Sequence, residues 1–198
     1  MKVIGVTGGV GCGKSTVLHF LSKEYHACVI EADKVAHEIM EPGQDVYAQV
    51  VEAFGRQILM PDGKIDRRLL GNLVFGEVNR EKLNQLNAIT HPGVREKIRR
   101  KIEEIKQENK TDLIVVEAAL LKESGFTQYC DEIWYIYADT QTRIRRLMEE
   151  RGYDRQQCED MIRKQATEDF YQKNCTRVID NTKEEIYTQL QIKKALEF

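Results

Sequence analysis

No run in this 198-residue sequence approaches the roughly 18 consecutive apolar residues that a membrane helix needs. Proline is scarce, with 3 residues, and 13 glycines are too few for a collagen-like or broadly disordered chain. Cysteine is present without a pattern. Cys12, Cys28, Cys130, Cys158 and Cys175 are odd in number, scattered and never in a C-x-x-C pair, so neither a disulfide frame nor a zinc site is expected. Charge of one sign is missing too: 30 Lys and Arg face 32 Asp and Glu, a net charge of −2. That balance argues against bulk affinity for nucleic acid or an anionic membrane and leaves room only for a local basic site. The apolar opening, Met1 to Gly9, is too short for a signal peptide and has no small-residue cleavage site, so a cytoplasmic protein is expected.

What is present fits one domain with extended connections. Short β-rich runs alternate with longer amphipathic segments. Strands are expected at Lys2–Val6, Ala27–Ile30, Leu113–Val116, Ile133–Ala138 and Val178–Ile179. Helices are expected over Lys14–Tyr25, Lys34–Met40, Asp66–Phe75 and Val94–Ile105, with a closing helix from Lys183. Strands separated by helices imply a parallel sheet in an α/β fold. Two intervals between strands are unusually long. Residues 34–111 carry only helical patterns, and residues 140–176 read as two polar helices. The expectation is a helical substrate-binding insertion and a lid, against the plainer alternative of helices that merely cover the sheet.

Chemistry enters at Gly8-Gly9-Val10-Gly11-Cys12-Gly13-Lys14-Ser15, which fits G-x-x-x-x-G-K-S and is followed by Thr16. Glycines let the backbone curl until several N–H groups point at phosphate oxygens. The helix opening at Lys14 adds the positive end of its dipole at the same point. Lys14 is expected to reach the β- and γ-phosphates of ATP, and Ser15 to ligate Mg²⁺. Cys12 stands where a small residue is required, and a space-filling role is expected of it.

A phosphate loop alone does not separate kinases from GTPases. Asn109-Lys110-Thr111-Asp112 matches the guanine-reading N-K-x-D, but it follows a charged helix and precedes a strand, the reverse of what that motif needs. Carboxylates gather instead at strand ends, where ligands of open parallel sheets collect: Glu31 and Asp33 after the second strand, Glu117 at the end of the third. One can take a proton from an attacking hydroxyl and another can support the magnesium shell. The competing reading makes Asp33 a helix cap and Glu31 a solvated flank. Arg143, Arg145, Arg146, Arg151, Arg155 and Arg163 cluster after the fourth strand; at helical spacing Arg143, Arg146 and Arg151 cannot all share one tight face, so one or two of the arginines are expected to meet phosphate.

With these residues assembled, the sequence resembles the dephospho-CoA kinase family. Val6-Thr7-Gly8-Gly9-Val10-Gly11-Cys12-Gly13-Lys14-Ser15-Thr16 is similar to that family's T-G-G-I-G-S-G-K-S-T opening. Glu31-Ala32-Asp33 resembles its D-A-D, His91-Pro92 its helix-breaking H-P, and Glu117-Ala118-Ala119-Leu120-Leu121-Lys122-Glu123 its D-x-P-L-L-x-E. Gln165 and Val178-Ile179-Asp180-Asn181 match as well. The departures are Glu31 for a usual Asp, Ala119 for proline, Glu150 for a frequent arginine and Thr176 for a frequent Asp. The resemblance implies a three-layer P-loop kinase fold with a five-stranded parallel sheet, a helical CoA domain and a helical lid. It implies ATP- and Mg²⁺-dependent phosphorylation of the ribose 3′-hydroxyl of dephospho-CoA, the last step of CoA synthesis. By position, Asp33 would be the base, Gly9 and Gly11 to Thr16 would bind ATP, Arg146 would be the lid arginine and Asn181 would lie near adenine. The rival readings are a kinase of another nucleoside or nucleotide, and a nucleotide-binding regulator without catalysis.

Overall fold

In the computed structural model, which describes residues 1–119 and 125–197, five strands form one sheet. They are β1 (Lys2–Thr7), β2 (Cys28–Glu31), β3 (Leu113–Glu117), β4 (Glu132–Tyr137) and β5 (Arg177–Asp180), in the spatial order β2-β3-β1-β4-β5. β1 pairs in parallel with β3 from Lys2 opposite Leu113 to Val6 opposite Glu117, and with β4 on its other side. β4 pairs in parallel with β5. The order reverses direction around β1. The chain therefore leaves the middle of the sheet at Thr7, beside the switch point where α/β sheets bind ligands.

The central strands are apolar on both faces: Val3, Ile4, Val6, Ile114, Val115 and Val116 are all buried. That is the signature of a sheet covered on both sides. α1 (Lys14–Tyr25) and α9 (Glu185–Leu196) lay Val17, Leu21, Ile192 and Ala195 against Ile4, Val6, Val115 and Trp134. Side chains alternate across a strand, so Tyr135 faces the other way. There it stacks on Tyr171 of α8 (Glu168–Asn174), ring centroids 4.5 Å apart. The result is three layers. Trp134, the one tryptophan of the sequence, is completely buried and donates its indole N–H to Glu132 at 2.7 Å. Glu132 also meets Lys2 at 2.6 Å and Arg177 at 3.4 Å, tying β1, β4 and β5 together at their starting ends.

The chain divides into two compact units, one formed by residues 1–29 and 105–198, the other by residues 30–104. The second holds α2 (Ala32–Glu38), α3 (Asp45–Phe54), α4 (Arg67–Val74) and most of α5 (Arg80–Glu108). Leu59 and Ile65 close an antiparallel bridge before α4. Val46, Val50, Leu70, Val74, Val94, Ile98 and Ile102 are buried at helical spacing.

Two expectations need correction. His91-Pro92 does not break a helix: α5 runs through Pro92 for 29 residues. Proline removes one backbone donor, but burial of Thr90, Val94, Ile98 and Ile102 on both sides holds the helix together. The interval 140–176 holds three helices rather than two: α6 (Thr140–Arg151), α7 (Arg155–Arg163) and α8. α6 stops at Gly152 with φ 67, and Asp154 opens α7 in a capping box with Gln157. No helix among the described residues is long and apolar enough to cross a membrane.

Candidate active site

β1 delivers the chain to Gly8 and α1 takes it up at Lys14. Gly13 caps α1 from the left-handed region, φ 84, and a Cβ there would collide with the Asn181 amide. Only glycine meets both demands at low cost. The start of α1 is unlike every other described α-helix. The helices α4, α6, α7 and α8 carry a side-chain cap from Asp66, Asp139, Asp154 and Thr167. The helices α2, α3, α5 and α9 carry an acid in the first turn. α1 has neither. Its first N–H groups and the positive end of its dipole are left for an anion that the chain itself does not supply.

Lys14 bends over the loop. Its ammonium donates to the Gly8 carbonyl at 2.8 Å and lies 3.8 Å from the Glu117 carboxylate, which projects from the end of β3. Thr7 donates its hydroxyl to the Ala119 carbonyl at 3.1 Å, tying the ends of β1 and β3 together. Ser15 and Thr16 stand exposed in the first turn of α1. Cys12 faces the other way, into the core, 2% exposed. Burial raises its thiol pKa despite the opposing charges of Lys14, Arg143 and Arg146, so it fills space as a neutral thiol.

The carbonyl side of the loop is held by three residues from distant parts of the sequence. Asn181 is buried; its amide donates to the Cys12 carbonyl at 2.8 Å and its oxygen accepts from Thr188 at 2.8 Å. Arg146 donates to the Cys12 carbonyl at 3.3 Å and to the Asn181 carbonyl at 2.8 Å. Arg143, one turn earlier on α6, donates to the Val10 carbonyl at 2.8 Å. Gln165 completes the clasp: its oxygen accepts from the Val10 N–H at 3.0 Å and from Arg143 at 2.6 Å. Both backbone groups of Val10 are thereby held. Its side chain packs into a small apolar cluster of Ile144, Leu147 and Cys158 on α6 and α7.

Of the arginines singled out in the sequence, Arg143 and Arg146 thus reach the loop. Arg145, Arg155 and Arg163 pair with Glu149, Glu159 and Asp160 on their own helices. The i, i+3 spacing of Arg143 and Arg146 was readable. Nothing local marked Gln165 as the partner of Val10.

Asp33 lies in the second unit, exposed in the first turn of α2. It is not the cap of that helix. The cap position belongs to Glu31, whose carboxylate pairs with Lys34 at 2.6 Å. The capping alternative for Asp33 therefore falls. Leu120, Leu121, Lys122 and Glu123 lie outside the described residues.

A sequence model of the dephospho-CoA kinase family matches residues 2–186. A dephospho-CoA kinase of Carboxydothermus hydrogenoformans is 42% identical over 197 residues, spanning 96% of this chain and 94% of that protein. Among solved structures, a Thermus thermophilus protein superposes with a TM-score of 0.79 at 29% identity, covering 98% of this chain and 96% of that one. Dephospho-CoA kinase from Campylobacter jejuni gives 0.70 at 27% identity, covering 98% and 94%. With a match running nearly end to end over a phosphate loop on the middle strand of a 2-3-1-4-5 sheet, the chain belongs to the dephospho-CoA kinase family.

Proposed function

We infer that this protein transfers the γ-phosphoryl group of ATP to the ribose 3′-hydroxyl of dephospho-CoA, giving CoA and ADP in the cytoplasm. The observation that carries the reading is α1: of all the described α-helices it alone opens without cap or acid, and Lys14 stands at that opening. Family membership supplies the acceptor.

In this reading the first N–H groups of α1 and the Lys14 ammonium hold the phosphate chain. Asp33 accepts the proton of the 3′-hydroxyl as the new O–P bond forms and the bond to the bridging oxygen of ADP breaks. Asp33 is exposed, with no ion pair or hydrogen bond among the described residues, so its carboxylate is available for that task. Arg143 and Arg146 bring two positive charges to the loop that holds the phosphates.

The donors present suit magnesium. Ser15 offers a hydroxyl and Glu117 a carboxylate, both hard oxygen ligands. No group of three His, Cys, Asp or Glu side chains gathers among the described residues. Magnesium needs no such cage, since it keeps several waters and takes substrate phosphates as ligands. When bound it would neutralise phosphate charge.

Turnover with ATP and dephospho-CoA, set against a panel of nucleosides and nucleotides, tests the reading. CoA should form, with one ADP released per CoA. Preferred transfer to a nucleoside, or nucleotide binding with transfer to no acceptor, would refute it.

A further inference from the structure

The backbone groups of the phosphate loop are divided in their use. Its carbonyls are engaged by the chain itself: Gly8 accepts from Lys14 at 2.8 Å, Gly9 from the Cys12 N–H at 3.3 Å, Val10 from Arg143 at 2.8 Å and Cys12 from Asn181 at 2.8 Å. The N–H groups of Gly11 and Gly13 have no acceptor among the described residues. In a trans peptide the N–H points opposite to the carbonyl it is joined to. Arg143 draws the Val10 carbonyl toward α6, so the Gly11 N–H is turned away from α6 and left free.

Nothing in the loop itself fixes that orientation. Gly11 sits at φ 74, and glycine populates both signs of φ, so the Val10–Gly11 peptide can turn over at little cost. The restraint comes from outside the loop. The Gln165 oxygen accepts from the Val10 N–H at 3.0 Å and from Arg143 at 2.6 Å, while Arg143 uses its Nε on the Val10 carbonyl. Both peptide planes that meet at Val10 are thereby pinned. Gly9 answers to the same restraint. Its φ lies outside the left-handed region, so the backbone would tolerate a side chain, yet a Cβ there would run into the Arg143 guanidinium and lie 2.8 Å from the Gln165 oxygen. Both bonds of the Gln165 side chain end on that oxygen; its amide nitrogen makes none among the described residues.

We propose that Arg143 and Gln165 are positioning residues for the nucleotide: by pinning Val10 they aim the Gly11 N–H at the phosphate chain. The proposal rests on the functional reading above and assigns the setting of one phosphate donor to two side chains that act through the backbone.

The test compares Gln165→Leu, which removes the acceptor at similar volume, with Gln165→Glu, which keeps it. Gln165→Leu should raise KM for ATP about tenfold, the loss of one charge-assisted hydrogen bond, with KM for dephospho-CoA within about twofold. A merely structural role would lower the amount of active enzyme, and with it kcat, and leave KM for ATP unmoved. Gln165→Glu should recover most of the loss. The Gly11 amide gives a direct readout by NMR in protein labelled with 15N-glycine. On addition of ADP its proton should move downfield in the unaltered protein and in Gln165→Glu, and much less in Gln165→Leu. A folded Gln165→Leu protein, checked by circular dichroism, with KM for ATP within about twofold or with the full ADP-induced shift at Gly11 overturns the proposal. So does a Gln165→Glu protein as impaired as Gln165→Leu. Should Gln165→Leu not fold, Arg143→Met carries the same expectations and the same refutation. If the unaltered enzyme makes no CoA from dephospho-CoA, the functional reading fails, while the ADP-induced shift at Gly11 still decides the positioning.

Discussion

Asn181 and Asp33 are two polar residues that the fold places very differently. Asn181 is buried, with both ends of its amide engaged, under the Cys12 carbonyl and beside Thr188. Asn181→Ala strands both partners and should destabilise the fold by about 2 kcal/mol, a fall in Tm of roughly 4–8 °C in a calorimetric scan. Asp33 is exposed and touches nothing the fold depends on. Asp33→Asn should therefore leave Tm within about 1 °C and the Kd for ATP within about twofold, while kcat falls about 100-fold or more. An unchanged kcat would remove Asp33 from the chemistry. The two placements were not equally legible in the sequence. A strand-end carboxylate is visible from patterning; that Asn181 struts the loop depends on a contact across 169 residues, which no local pattern encodes.

At the scale of elements, the strands and α1 were readable because β-branched runs and the glycine loop mark them directly, and α1 occupies the expected residues, Lys14–Tyr25. The longest helix was read short because Pro92 and its polar first half hide a helix whose support comes from packing rather than propensity. The interval after β4 reads as two helices in the sequence; the structure divides it into three at Gly152, Asp154 and Thr167. What joins them to the loop is Val10 in its apolar cluster and the double acceptor Gln165. Gln165→Ala frees the Val10 N–H and one arm of Arg143. Hydrogen exchange at Val10 should quicken by about tenfold, with exchange along α6 and α7 rising alongside it. Unchanged protection at Val10 would show that the apolar cluster alone keeps the loop in place.

For the molecule as a whole, the weak net charge hides a local design that only the folded chain displays. The starting ends of three strands meet at one carboxylate. Burial alone would raise the pKa of Glu132, but hydrogen bonds from Lys2, Trp134 and Arg177 outweigh it and hold the acid below its ordinary value of 4.5. An acid lowered in this way contributes stability that is complete above about pH 5 and is lost as pH falls through the folded-state value. Glu132→Gln should accordingly lower Tm at pH 7 and flatten the fall of Tm below about pH 5; parallel Tm profiles would assign acid sensitivity elsewhere. The same contact gives the protein a built-in optical probe. The sole indole of the chain is sealed inside the sheet and hydrogen-bonded to that carboxylate. Its emission should be blue-shifted in the native protein and move to the red in one step as the sheet opens, so unlabelled material can be followed through denaturation by fluorescence alone.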